Sequence, residues 1–223
     1  MSTSPTISFI GAGNMASAII GGMLDSGFKA ANIWVSAPDD NHLQSIRKQF
    51  GVSVTTDNRY CAEQADMAVL AVKPQVMASV CSDIAPVVQN TRPLMVSIAA
   101  GLEASTLDEW LGGGLPLVRV MPNTPSLVGK GAAGLYANDQ VKEKQKTMVE
   151  TVFNSIGSAL WVEDESLLHA VTALSGSGPA YFFLMLEALE EAATDAGIAG
   201  ETARALAIQT MAGAAEMAGR SEH

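Results

Sequence analysis

The chain has 223 residues, of which 48% are hydrophobic and 16% are charged, and its formal net charge at pH 7 is −10. This size and composition predict a compact folded protein with a sizeable core and exclude a disordered chain. The acidic balance argues against binding to nucleic acid or to an anionic membrane surface.

Short apolar runs alternate with helical stretches over the first two thirds of the chain. We predict strands at 6–10, 33–36, 67–72, 94–99 and 117–121, and helices at 14–26, 40–50, 74–85 and 103–111. Strands that are apolar at successive positions are buried on both faces. Their alternation with helices predicts an α/β protein with a Rossmann-type, doubly wound parallel sheet. Apolar runs at 131–137 and 159–162 flank a helix at 140–155 and are expected to extend that sheet.

The last part of the chain has helical periodicity and an excess of alanine and methionine. A predicted helix at 201–219 carries an apolar stripe of mostly small residues, which favours close packing against another helix of this chain or of a partner subunit. We therefore predict two domains, a Rossmann-like domain at 1–162 and an all-helical domain at 163–223. Since the sequence stops at R-S-E-H directly after this helix, we expect the helical domain to be truncated at its C-terminus.

Cysteine and histidine are scarce. Cys61 and Cys81 are too far apart for a CxxC motif, and we expect both to be free, buried thiols. The three histidines are not spaced as a metal-binding pair, so we expect no metal site. The first basic residue is Lys29, and the longest later apolar run is too short to cross a bilayer, so we expect a cytoplasmic protein.

The segment F-I-G-A-G-N-M-A connects the first predicted strand to the first long helix. Gly11 permits a tight turn, Gly13 allows a pyrophosphate to approach the main chain, and Ala16 permits close packing of the helix on the strand. The helix N-terminus adds amide donors and a partial positive charge. Small residues also occur in ordinary turns, but the strand–turn–helix context favours a dinucleotide cofactor.

The end of the second strand indicates which dinucleotide is bound. An NAD site usually has Asp or Glu there to bind the ribose hydroxyls. Here Ser36 occupies that position, while Asp39 and Asp40 come later and are expected to cap the next helix. Without a carboxylate to repel a 2′-phosphate, and with Ser36 as a possible donor to it, the site favours NADP(H) over NAD(H).

Four further segments follow other strands or join helices: L-A-V-K-P-Q (70–75), S-I-A-A-G (97–101), V-M-P-N-T-P (120–125) and A-L-S-G-S-G-P-A-Y-F-F (173–183). In open α/β sheets ligands bind at the carboxyl ends of the strands, where the first three segments are expected. Lys73 would lie at the cofactor crevice, although a lysine at a strand end is often simply solvated. The S-G-S-G-P stretch predicts either a second set of free amides for an anion or a flexible connection between helices.

Together these five segments, in this order along the whole chain, resemble pyrroline-5-carboxylate reductase. The resemblance implies an enzyme of proline biosynthesis that uses NADPH, or in some members NADH, to reduce the cyclic imine 1-pyrroline-5-carboxylate to L-proline. It also implies a homodimer or higher homo-oligomer with active sites at the interface of the helical domains. The family continues with an S-P-G-G-T-T-like segment that binds the substrate carboxylate, and the present sequence ends before it.

The resemblance also assigns roles to individual residues. The cofactor contacts it implies are Ile10, Gly11, Ala12, Gly13, Asn14 and Met15 at the pyrophosphate loop, Ser36, Pro38 and Asn58 at the adenosine-ribose end, and Ala71, Val72, Lys73, Pro74, Ile98, Ala99 and Ala100 in further segments. Glu165 and Glu222 resemble carboxylates placed near the substrate. No residue is identified as the proton donor.

The expected chemistry agrees with the absence of an obvious acid–base pair. A protonated imine is already a strong electrophile, so hydride transfer needs no dedicated strong acid if the reactants are held in contact. Two alternatives remain open. One is another small NADP-dependent dehydrogenase of the β-hydroxy-acid type, which would usually employ a positioned Lys or His. The other is a cofactor-binding fragment with little turnover because of the truncation.

Overall fold

The computed structural model describes residues 4–221, and its centre is one eight-stranded sheet. The strands are β1 (Ile7–Ile10), β2 (Ile33–Ser36), β3 (Ser53–Thr55), β4 (Met67–Leu70), β5 (Leu94–Ser97), β6 (Leu117–Met121), β7 (Gly131–Ala137) and β8 (Gly157–Trp161). Their order across the sheet is β3-β2-β1-β4-β5-β6-β7-β8. The order reverses between β1 and β4, so the predicted α/β class with a doubly wound, Rossmann-type sheet is confirmed.

The helices lie between the strands and after them. They are α1 (Asn14–Asp25), α2 (Asp40–Phe50), α3 (Asn58–Glu63), α4 (Pro74–Thr91), α5 (Ala104–Trp110), α6 (Glu143–Asn154), α7 (Leu167–Val171), α8 (Gly178–Asp195) and α9 (Gly200–Arg220). Asp39 caps α2 as predicted, since its carboxylate accepts hydrogen bonds from the backbone N–H groups of Asn41 and His42.

Two apolar cores cover the two faces of the sheet. On one face α1, α2 and α6 pack against alternate strand residues such as Phe9 and Val69. On the other face α3, α4 and α5 pack against Ile10, Leu70 and Leu117. Because both faces are covered, β1, β4 and β5 are buried at every position, which explains their unbroken apolar sequences.

Three features differ from the sequence prediction. β7 runs antiparallel to β6 because only the nine residues 122–130 join them, too few for the crossover that a parallel pair requires. The edge strand β3 and the six-residue α3 were not predicted, since both are too short to show a clear period. α4 continues to Thr91, through Pro86, where the prediction ended it at Ala85.

The two cysteines are free and buried, as predicted. Burial raises the pKa of the Cys61 thiol and of the Cys81 thiol to about 12. Both therefore stay protonated and unreactive near neutral pH. Within residues 4–221, no group of three or more His, Cys, Asp or Glu side chains is arranged to hold a metal ion.

Packing divides the chain after Gly176 into two compact units. The first unit contains the sheet and α1 to α7. In the second unit α8 and α9 pack against each other, and α8 carries a run of large apolar side chains that are all more than half exposed, Tyr181, Phe182, Phe183, Leu184 and Met185. Between residues 4 and 221 no helix has the length and apolar character needed to cross a membrane.

Candidate cofactor site and its neighbouring carboxylate

The loop from β1 to α1 presents an open helix N-terminus. Gly13 is the N-cap of α1, no side chain caps this helix, and no acidic residue lies in its first turn. A Cβ atom built on Gly13 would meet no other atom within 4 Å, so the space beside it is open. Backbone N–H groups and a partial positive charge at such a terminus attract an anion. An open helix N-terminus of this kind has the donors and the space to receive a phosphate group.

Gly11 has a different reason to be glycine. Its φ of +111° is rarely adopted by other residues, and a Cβ here would lie 2.5 Å from the carbonyl oxygen of Ala71. The backbone N–H of Ala71 in turn donates to the carbonyl of Ile10 at 2.8 Å. Two of the predicted cofactor segments, 10–15 and 71–74, therefore contact each other directly.

His42 on α2 contacts the glycine loop at Ala12. It is not among the predicted site residues. Its Nε2 lies 2.7 Å from the carbonyl oxygen of Ala12, a contact across 30 residues of sequence. This contact ties the carbonyl of Ala12 in the glycine loop to α2. No sequence pattern distinguishes this histidine from an ordinary polar residue in the first turn of a helix.

The adenosine-ribose end predicted at Ser36, Pro38 and Asn58 is assembled from β2 and α3. Ser36 ends β2 and is fully buried, and its hydroxyl donates to Asn58 Oδ1 at 2.8 Å. This bond orients the asparagine amide and leaves its Nδ2 without a hydrogen bond to residues 4–221. Pro38 is exposed beside the same strand end. The donor that this pair can offer to a ligand is therefore the Asn58 amide.

The ends of β4 and β5 complete the same edge of the sheet. Lys73 is the exposed N-cap of α4, and Pro74 occupies its first turn as predicted. The N–H of Ile98 donates to the carbonyl of Leu70, so the segment after β5 lies beside the segment after β4. Ala100 at the end of that segment is exposed. The structure thus brings the segments predicted to bind the cofactor, 10–15, 36–38, 71–74 and 98–100, to one edge, with Asn58 beside them.

Glu165 is fixed beside this edge by two donors. Its Oε1 accepts hydrogen bonds from Arg119 Nη1 and from the backbone N–H of Ala104, each at 2.6 Å. Arg119 lies on β6 and is buried. Arg119 is not among the predicted site residues, although a lone charged residue in the apolar strand L-V-R-V-M is a recognisable sequence signal.

Negative charges lie around Tyr136, a neighbour of the Arg119–Glu165 pair. Tyr136 lies directly opposite Arg119 in the β6–β7 ladder. Burial raises the pKa of the Tyr136 hydroxyl, and the negative charges of Glu165, Asp139 and Asp164 raise it further. Tyr136 therefore stays neutral at physiological pH and is an uncharged neighbour of the ion pair.

Asn123, in the predicted loop at 120–125, has a structural function. Its Nδ2 donates to the carbonyl of Ser175 and its Oδ1 accepts from the N–H of Ala132, both at 2.9 Å. This amide ties the loop after β6 to β7 and to a π turn at Thr172–Gly176. The second predicted substrate carboxylate, Glu222, lies outside the described residues.

Comparison with known proteins gives similarities across nearly the whole chain. The family described as NADP oxidoreductase, coenzyme F420-dependent, matches residues 6–101, and the family described as pyrroline-5-carboxylate reductase dimerisation matches residues 165–223. Pyrroline-5-carboxylate reductase of Pseudomonas aeruginosa is 47% identical over 222 residues, which are 100% of this chain and 81% of that protein.

Solved structures give the same picture. A pyrroline-5-carboxylate reductase from Coxiella burnetii is 42% identical with a TM-score of 0.95, covering 99% of this chain and 82% of that one. A pyrroline carboxylate reductase from Plasmodium falciparum with NADP bound is 32% identical with a TM-score of 0.87, covering 99% of this chain and 80% of that one. The similarity therefore includes both the sheet and the helical pair.

Proposed function

Since the chain belongs to the pyrroline-5-carboxylate reductase family, we propose that it reduces 1-pyrroline-5-carboxylate to L-proline with NADPH as the reductant. The observation that carries this proposal is the 47% identity over the full length of the chain with a reductase of which it covers 81%. The protein is accordingly an oxidoreductase that uses NADP(H). Use of NAD(H) as a second cofactor stays a prediction.

The residues at the strand edge fit this cofactor. The open space at Gly13 and the uncapped amides of α1 suit the pyrophosphate, with Ile10 to Met15 forming its loop. At the adenosine-ribose end formed by Ser36, Pro38 and Asn58, the Asn58 amide would donate to the 2′-phosphate. No carboxylate at the end of β2 would repel that phosphate. The segments at 71–74 and 98–100 would hold the nicotinamide half. The dipole and free N–H groups at the N-terminus of α1 allow a protein of net charge −10 to bind a polyanionic cofactor.

Bound NADPH supplies the hydride that adds to the imine carbon of the substrate. The protein has to hold the imine against the cofactor, exclude water and keep the ring nitrogen protonated. A carboxylate near that nitrogen favours its positive charge, and Glu165 is available at the cofactor edge. Glu222 is proposed as a second carboxylate near the substrate.

The assay that tests this function compares two reactions of the purified chain. We expect NADPH-dependent formation of proline from 1-pyrroline-5-carboxylate and no NADP-dependent oxidation of β-hydroxy acids. Activity with the hydroxy acids alone would contradict the proposal and favour a different dehydrogenase. NADPH binding without turnover of either substrate would leave only a cofactor-binding protein.

Asn58→Asp is expected to lower affinity for NADPH selectively. The aspartate can still accept the hydrogen bond from Ser36, so the local fold is retained, but its charge would repel the 2′-phosphate. We expect the Kd for NADPH to rise about tenfold, with a much smaller change for NADH. Titrations followed by nicotinamide fluorescence measure both constants.

Asn58→Ala is the matched control, because it removes the amide without adding a charge. It should weaken NADPH binding less than Asn58→Asp does. Equal losses for NADPH and NADH in the aspartate variant would show that Asn58 does not lie at the 2′-phosphate.

We also propose that residues 1–162 form the cofactor domain and residues 163–223 the domain for substrate binding and dimerisation. The match to the dimerisation family over 165–223 and the exposed apolar run on α8 support a homodimer or higher homo-oligomer. A cytoplasmic location is proposed because two free thiols persist in a reducing compartment.

A further inference from the structure

We propose that Arg119 is a positioning residue that fixes one oxygen of Glu165, so that the other oxygen accepts a hydrogen bond from the protonated ring nitrogen of the substrate. The assignment of the substrate rests on the proposed function. The fixing of Glu165 by Arg119 is inferred from the hydrogen bonds between these two side chains and the Ala104 N–H, independently of the substrate.

Arg119 is a buried cation with one partner. Its side chain is 7% exposed, and it lies on the sheet face that also carries Leu117 and the second apolar core. Its Nη1 contacts Glu165 Oε1 at 2.6 Å, while its Nε is buried and has no hydrogen-bond partner. Nothing else among residues 4–221 forms an ion pair with this guanidinium. The arginine is therefore dedicated to Glu165.

The two oxygens of Glu165 are used differently. Oε1 accepts both the Arg119 bond and the Ala104 N–H bond, whereas Oε2 makes no hydrogen bond to any described residue. The Glu165 side chain is 25% exposed to solvent, so a ligand can reach the carboxylate. Two short bonds to one oxygen restrict rotation of the carboxylate, and the free oxygen is held in one direction.

The fixed carboxylate lies close to segment 98–100, which is proposed to hold the nicotinamide half of the cofactor. Ala104 follows the proposed cofactor segment at 98–100 by only four residues and begins α5. Arg119 pairs with Ser97 in the β5–β6 ladder, directly before the same segment. A cation held against a nicotinamide bound at this segment would therefore be close to Glu165. The protonated cyclic imine is such a cation, and its N–H can donate to Oε2.

Because the Arg119 side chain orients an acceptor for the imine and forms no hydrogen bond with the described residues of the proposed cofactor segments, its loss should affect the two ligands differently. Without it, Glu165 keeps the Ala104 bond but can rotate away from the substrate. We expect a weaker interaction with the imine and an unchanged affinity for NADPH. A purely structural arginine would lower the amount of folded enzyme and leave the KM of the folded fraction unchanged.

A double-mutant cycle tests this inference. We expect Arg119→Met to raise the KM for the imine about tenfold while the Kd for NADPH stays within about twofold. Arg119→Lys should recover part of the loss, since it restores a cation without the fork geometry. Glu165→Gln should raise the KM similarly, and the double variant should be no worse than Glu165→Gln alone. Circular dichroism confirms that each variant is folded.

Arg59→Met is the matched control, because Arg59 forms an exposed ion pair with Asp83 outside the proposed site. It should leave the KM for the imine unchanged. The inference is overturned if folded Arg119→Met keeps the wild-type KM, or if the effects of Arg119→Met and Glu165→Gln multiply in the double variant.

A measurement that does not need turnover separates this inference from the proposed function. If the wild-type chain forms no proline, the proposed function fails, and with it the assignment of the imine. The fixing of Glu165 is then judged from the ¹H–¹⁵N resonance of Ala104, whose N–H donates to Oε1. A clear shift of this resonance in Arg119→Met supports the fixing, and an unchanged resonance contradicts it.

Discussion

Gly11→Ala is expected to destabilise the protein by roughly 2–4 kcal/mol and to abolish measurable NADPH binding. The alanine would have to adopt a φ of +111°, and its Cβ would lie 2.5 Å from the Ala71 carbonyl oxygen. The contact between the loops after β1 and β4 must then open. This displaces together two of the segments proposed to bind the cofactor. Urea denaturation followed by circular dichroism measures the stability, and nicotinamide fluorescence measures the binding.

Gly27→Ala is the control for Gly11→Ala, because it introduces backbone strain without a steric clash. Gly27 also has a positive φ, +94°, but a Cβ there meets no atom within 4 Å. This variant should lose only about 1 kcal/mol and should bind NADPH normally. If the two alanine variants are equally stable and bind NADPH equally well, the collision at Ala71 is not significant.

Glu165→Ala is expected to reduce the free energy of unfolding by about 3 kcal/mol. The change removes the one ion-pair partner that Arg119 has among the described residues and leaves a buried guanidinium without a counter-charge. It also removes the acceptor for the first N–H of α5. The penalty arises mainly from the uncompensated charge and much less from the lost attraction.

Glu163→Ala is the control for this result. Glu163 is exposed two residues earlier and forms no hydrogen bond or ion pair with the described residues. Its replacement should change stability by less than about 0.5 kcal/mol. If Glu165→Ala changes the free energy of unfolding by a similarly small amount, then solvent, and not Glu165, compensates the charge of Arg119.

Much of the fold follows from local sequence patterns. The buried strands at Ile7–Ile10 and Met67–Leu70 are apolar throughout, and Asp39 and Pro74 mark helix starts by their own chemistry. The antiparallel direction of β7 is not a local property of G-A-A-G-L-Y-A. It depends on the length of the preceding loop, which excludes a parallel crossover. The apolar pattern of β7 was therefore enough to predict where the strand lies in the sequence. It was not enough to predict its direction relative to β6.

The site was predictable where backbone conformation determines the residue type. Gly11 and Gly13 are glycines for separate reasons that a small-residue motif expresses, although only the structure distinguishes a close contact from open space. The contacts of His42 with Ala12 and of Arg119 with Glu165 join residues 30 and 46 positions apart. Such pairs depend on the tertiary arrangement, so they cannot be identified from a single sequence before the fold is known.

The open space at Gly13 is proposed to receive the cofactor pyrophosphate, and titration of Gly13→Ala with NADPH tests this most directly. Gly13 has an ordinary φ of −77° and no neighbour within 4 Å of a Cβ, so the variant should fold with wild-type stability. We predict that its Kd for NADPH rises about tenfold, because the methyl group occupies the approach to the amides. A stable Gly13→Ala protein that binds NADPH as tightly as the wild type would contradict the claim.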